Sequence, residues 1–214
     1  MTHAIVMGGS RGIGRAIADA LREIGADVVA ASSTDVDTSD RSSVEAFAAR
    51  YPETDVLVLN TGGPEPKTFA QTTPEDWDRC HDLLFTGFCS MLRRVRVRDG
   101  GYVFLISSMV VREPTPNLVL SAAYRAAFSE VFKVVSKEYA GREITCVNIA
   151  PGPFDTDRTR QLVKDVKELA GSLPMGRLGR PEEIGSFVAG IVKDRTKYIS
   201  GIIDFDGASS ARSI

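Results

Sequence analysis

One pattern constrains this chain more than any other. Short and almost wholly apolar runs alternate with amphipathic stretches of helical period. The runs are AIVM (4–7), DVVAAS (27–32), DVLVLN (55–60), YVFLIS (102–107), ITCVNI (144–149) and IIDFDG (202–207). Runs this short and apolar suit strands of a parallel sheet covered on both faces. Helical periodicity fills 14–24, 42–50, 74–94, 121–140 and 181–193. Pro74 and Pro181 stand at first-turn positions with acidic residues just behind them, a helix-start signal. Strand and helix alternating throughout predict an α/β fold. The expected form is a single-domain, Rossmann-like, doubly wound parallel sheet with helices on both faces, spanning 1–214. A chain of 214 residues suffices for one sizeable core and is short for two. The segment 154–180 breaks the rhythm after a strand's carboxyl end, which makes it a candidate lid.

The sharpest local signal is MGGSRGIG, between the first strand and the first helix. Gly8, Gly12 and Gly14 allow close backbone approach to a ligand, and the helix N-terminus aims its amides at a phosphate. Ser10, Arg11 and Ile13 complete the turn, and a nucleotide site is expected there. At the second strand's end an acid would hold the ribose 2′-hydroxyl of NAD. The chain instead has Ser32 and Ser33, with no acid before Asp35. Arg11 and the serine hydroxyls could meet a 2′-phosphate, so NADP(H) is preferred, with NAD(H) possible.

Charge and cysteine content exclude several classes. The net charge is −2, from 26 basic and 28 acidic residues, unlike the basic excess of a polyanion binder; no nucleic-acid partner is expected. The basic run 93–98, RRVRVR, reads as the solvated end of a helix, and Lys67 in GGPEPK as a solvated lysine beside the cleft. Three cysteines without a CxxC pair and two histidines predict no metal site. Free thiols fit a reducing, cytoplasmic setting. The N-terminus runs directly into a strand pattern and does not read as a signal peptide. No apolar run approaches the ~20 residues that cross a bilayer, so no membrane partner is expected.

Several further motifs make the chain resemble a short-chain dehydrogenase/reductase over nearly its whole length. GGSRGIG resembles that family's TGxxxGIG turn, with Met7 in the threonine's place. DTSDRSSV (37–44) resembles its DVxDxxSV, which would put Asp37 on adenine. LNTG (59–62) resembles NNAG, which would put Asn60 and Gly62 beside the ribose. VNIAPGPFDTD (147–157) resembles VNxxxPGxxxTxx, placing Pro151, Gly152, Phe154 and Thr156 at the nicotinamide carboxamide. GRPEEIG and ISGIIDFDGA resemble the closing helix and strand. Only STDV separates the second strand from Asp37, so the usual helix and edge strand there are expected to be shortened or absent. The resemblance also implies a homo-oligomer, a dimer or tetramer, packed through the two long helices.

The family's catalytic group is Asn-Ser-Tyr-Lys, and here it is rewritten. Counting the family spacing from Ser108 arrives at Ser121 in the tyrosine position and Arg125 in the lysine position, followed by small residues as in the family. Leu84 then takes the asparagine's place in DLLFTGF. The alternative register puts Tyr124 in the tyrosine slot, Phe128 in the lysine's and Val111 in the serine's. The first register is preferred because it keeps the serine and a cation. Ser121 is an aliphatic hydroxyl, a far weaker acid than a phenol of pKa about 10. Arg125 holds its charge but does not give up its proton. Tyr124, one turn from Ser121, is the candidate substitute donor, although it also lies on an apolar stripe with Phe128, Val131 and Val135. Ser121 is also placed to cap a helix. The resemblance implies an oxidoreductase interconverting a carbonyl and an alcohol, 3-oxoacyl-thioester reductase-like, with a remodelled proton donor. The alternative is a non-catalytic NADP(H)-binding module or the partner subunit of a mixed oligomer.

Overall fold

The computed structural model describes residues 1–210; residues 211–214, the end of the expected domain, lie outside the described residues. The strands are β1 (His3–Met7), β2 (Asp27–Ala31), β3 (Glu53–Leu59), β4 (Arg96–Ile106), β5 (Thr145–Pro151) and β6 (Gly201–Phe205). They form one sheet in the order β2-β1-β3-β4-β5-β6, every neighbouring pair parallel. The doubly wound sheet expected from the alternation is present. Strand order reverses between β1 and β3, which opens a crevice at their carboxyl ends.

Each strand is apolar on both faces because each face is covered. Ile5, Met7, Leu57, Leu59, Val103 and Leu105 point to one side. There α2 (Arg41–Arg50), α4 (Gly87–Arg94) and α5 (Val119–Ala140) bring Phe47, Phe88, Met91, Phe128 and Phe132. Ala4, Val6, Val56, Val58, Phe104 and Val147 point to the other. There α1 (Gly12–Glu23) and α8 (Pro181–Lys193) supply Ile17, Leu21, Ile184, Val188 and Ile191. Burying one such side chain contributes about 1.5–3 kcal/mol, so the period-two alternation fixes the register. A side chain at Gly185 would strike the Ala16 carbonyl at 2.5 Å, so glycine there permits the close contact of α1 with α8.

The β2–α2 connection carries turns only, with no helix or strand between Ala31 and Arg41. β2 is therefore an edge strand, as the deletion implied. The basic run differs from its reading. Its first half ends α4, but Arg96 opens β4, and Arg98 pairs with Glu53 and Asp55 on the adjoining strand. Alternating valines (95 and 97, both buried) pull this half into the sheet. Lys67 is not solvated either: its ammonium lies 2.7 Å from Asp76, which opens out from α3 (Pro74–His81). Between α3 and α4 the helix widens into one π turn, Asp82–Thr86.

The interrupted segment holds two short helices, α6 (Asp157–Leu162) and α7 (Val166–Ser172). Its base is pinned. Gly179 donates to the Pro153 carbonyl and accepts from Asp155, while the Phe154 ring lies where a Gly179 side chain would be, at 2.8 Å.

Candidate active site

A cleft of about 530 Å³ runs along the carboxyl ends of the strands from the glycine turn to α5, and the first part of the interrupted segment, 154–162, lines it. Gly8, Ser10, Arg11, Gly12, Ile13 and Gly14 line one end. Gly8 and Gly12 hold φ of +60° and +53°, values that L side chains rarely adopt. A Cβ at Gly14 would stand 2.1 Å from the Gly8 carbonyl oxygen. Asn60 ties this turn to β3, donating from Nδ2 to the carbonyls of Met7 and Gly8. The result is a cradle open to backbone amides at a helix N-terminus, which suits a dinucleotide's pyrophosphate. Gly62, Pro151, Gly152, Phe154 and Thr156 also line the cleft.

The adenosine end differs from the sequence expectation in detail. Ser33 faces the cleft. Ser32 does not: its hydroxyl and amide both donate to Asp35, at 2.6 and 2.8 Å. That hydroxyl bond, with the amide, holds the Asp35 carboxyl below its ordinary value. Asp35 lines a separate groove against α2, so among the described residues the cleft side of β2 has no carboxylate. Asp37 is exposed and folded onto its own turn, accepting from the Ser39 amide and hydroxyl. Its neighbours Val36 and Thr38 line the cleft in its stead.

At the opposite end, Ser108, Ser121 and Arg125 line one wall. Ser121 lies inside the first turn of α5, not at its cap, which is Leu118. Its Oγ accepts from Arg125 Nε at 3.2 Å, leaving its own proton free to donate. Arg125 is 9% exposed. Its Nη1 donates to the carbonyls of Ile106 and Ser107, at 3.0 and 3.1 Å. Those carbonyls stand at the end of β4 and just beyond it, so the guanidinium sits at the strand terminus. No carboxylate pairs with it among the described residues. Burial, with the Arg158 charge adding to it, pushes Arg125 down to about 10.

Beneath this wall runs a buried polar chain that sequence reasoning did not single out. Ser107 donates to Asn148, Asn148 donates to Ser129, and Ser129 donates to the Arg125 carbonyl. Each residue satisfies the next, as burial requires. Ser108 caps a 3₁₀ turn, accepting from the Val110 amide. Arg158, in α6, was also missed: it lines the cleft and donates to the Pro64 carbonyl across it.

Tyr124 lies off this wall. Its ring packs edge-on against Trp77 and His81, at 5.9 and 5.6 Å between centroids. Burial, with nearby negative groups, raises its phenol above the ordinary value. The π turn puts Leu84, wholly buried, against Cys80 and Leu120, in dry and apolar surroundings. Phe128 is buried between Phe85, Phe88 and Phe132, which leaves the alternative register without a cation.

The fold and this cleft define a dinucleotide-binding α/β protein. A family profile described as enoyl-(acyl carrier protein) reductase matches residues 33–207. The 3-oxoacyl-[acyl-carrier-protein] reductase of Chlamydia muridarum is 32% identical, the alignment covering 95% of each chain. Among solved structures, a dehydrogenase/reductase from Sinorhizobium meliloti superposes with a TM-score of 0.87 at 26% identity, over 98% of this chain and 95% of that one. A blue fluorescent protein from a metagenomic library, in complex with NADPH, gives 0.85 at 26% identity over 98% of each. This chain belongs to the short-chain dehydrogenase/reductase family.

Proposed function

We propose that this chain is an NADP(H)-dependent oxidoreductase that interconverts a carbonyl and an alcohol. One observation carries the reading: a continuous cleft joins the glycine cradle to the wall of Ser108, Ser121 and Arg125. Arg11 and Ser33 line its adenosine end, where no carboxylate opposes a 2′-phosphate. The 3-oxoacyl reductase among its relatives and the NADPH-bound neighbour support the same cofactor and a 3-oxoacyl-like substrate. A bound nicotinamide supplies or takes up the hydride. Ser108 and Ser121 hold the substrate oxygen by hydrogen bonds, and Arg125 stabilises negative charge that gathers there. With Tyr124 packed away from the cleft, the proton comes from water. We further propose a cytoplasmic homo-oligomer, its contact made by α4 and α5, where Val134 is exposed and Cys89, Val131 and Val135 are only partly covered.

Oxidation of NADPH against a panel of carbonyl compounds tests the activity. Turnover is expected, and Ser108→Ala should lower kcat by about 10²-fold, the usual cost of one oxyanion donor. Tyr124→Phe should leave it unchanged. Tight NADPH binding with no turnover for any carbonyl would favour the second reading, a non-catalytic NADP(H)-binding module or partner subunit. The loss of tyrosine, lysine and asparagine at their positions motivates that alternative.

A further inference from the structure

The proposed reaction gives Arg125 a role but leaves a second guanidinium of the same cleft, Arg158, without one. Arg125 is buried, and its Nη2 has no protein acceptor among the described residues. Arg158 is half-buried on the lid and, among the described residues, hydrogen-bonds only to the Pro64 carbonyl. No carboxylate stands within ion-pair distance of either guanidinium among the described residues. Asp157 borders the same cleft, but its side chain is 73% exposed and lies 3.6 Å from Arg160. Glu65 attracts Arg158 only from a distance. Two desolvated, like-charged groups around one cavity are costly unless an anion joins them.

The cofactor's diphosphate is one such anion, but its cradle lies at β1. Arg125 caps β4, two strands further along the sheet, or about 10 Å at the usual strand spacing. Its free nitrogen therefore serves the substrate end, beside Ser108 and Ser121. With Nε and Nη1 already engaged, Arg125 can offer a carboxylate one charge-assisted hydrogen bond from Nη2, and Arg158 can supply the second.

Building on the oxidoreductase reading, we infer that the substrate is an oxo acid whose carboxylate lies between Arg125 and Arg158. The lid then closes on the substrate through Arg158, giving up the Pro64 contact for the anion.

Calorimetric titration of the NADP⁺-loaded protein with 3-oxobutanoate and with its methyl ester tests this. The acid should bind at least tenfold more tightly than the ester, the scale of one charge-assisted hydrogen bond at about 1.4 kcal/mol per decade. The preference should fall to within about twofold in Arg158→Gln and persist in Arg22→Gln, whose side chain pairs with Asp19 on α1 away from the cleft. Equal affinities in the native protein, binding of neither compound, or a preference that survives Arg158→Gln would each overturn the inference. So would Arg158→Gln weakening NADP⁺ alone, which would assign that guanidinium to the diphosphate. Absence of heat with NADP⁺ itself removes the oxidoreductase reading and the inference with it.

Discussion

Arg125 sets the chemistry that single residues allow here. A lysine in this position could offer three rotatable donors; the guanidinium spends Nη1 and Nε on two carbonyls and Ser121. Its planar fork is then locked, and the charge stays fixed at the end of β4. Ser121, bound to it, can donate a hydrogen bond without acting as an acid. Restoring the family pair should therefore restore a proton donor. The double variant Ser121→Tyr/Arg125→Lys is expected to raise kcat for a neutral ketone at least tenfold, within the 10²–10⁴ range of general acid catalysis. Arg125→Lys alone should give no gain. Steady-state kinetics decide this, and no gain in the double variant would mean that position 121 does not aim at the reacting carbonyl. Ser121 and Arg125 were singled out by counting the family spacing from Ser108, and both line the cleft. The fate of Tyr124 was not: a three-residue step on a helix turns a side chain ~60° from its neighbour one turn back. Only the position of α3 decided that this direction ends on Trp77 and His81 rather than in the cleft.

Among the elements, the lid depends on how its stem is tied. Glu183, in the first turn of α8, accepts from Arg177 at 2.8 and 2.9 Å and from the Arg180 amide at 2.7 Å. Arg177 first, then the Arg180 amide, lowers its carboxyl from 4.5 to about 2. A depressed folded-state value stabilises the fold above the unfolded value of 4.5, and the contribution is lost as pH falls toward 2. The side chain is 32% exposed, and solvent screening limits the gain to about 1 kcal/mol. Glu183→Gln is thus expected to lower Tm at pH 7 by about 2–4 °C. That difference should shrink steadily below pH 4.5, as thermal melts across pH would reveal. The sequence marked 154–180 as a lid because it interrupted the alternation. It did not reveal Arg158 as a cleft residue, because a charged side chain in a surface helix carries no periodic signal; its direction comes from the Phe154–Gly179 pin that aims α6.

For the whole molecule, the absent edge elements leave β2 half-buried at one margin, while α4 and α5 keep their outer apolar positions. Sedimentation at micromolar concentration should give a species larger than one chain, and Val134→Glu should shift it toward the monomer, since a charge in an apolar contact is poorly compensated. A single-chain species for the native protein would remove the proposed oligomer. The order of strands and helices and the glycine cradle were written in the sequence. Each depends on local periodicity or on residues close together in the chain. The tertiary structure alone decided that Arg158 turns into the cleft and that Arg125 meets the end of β4. Those outcomes depend on contacts between segments distant in the chain, and on which buried polar groups can find partners once the sheet has closed.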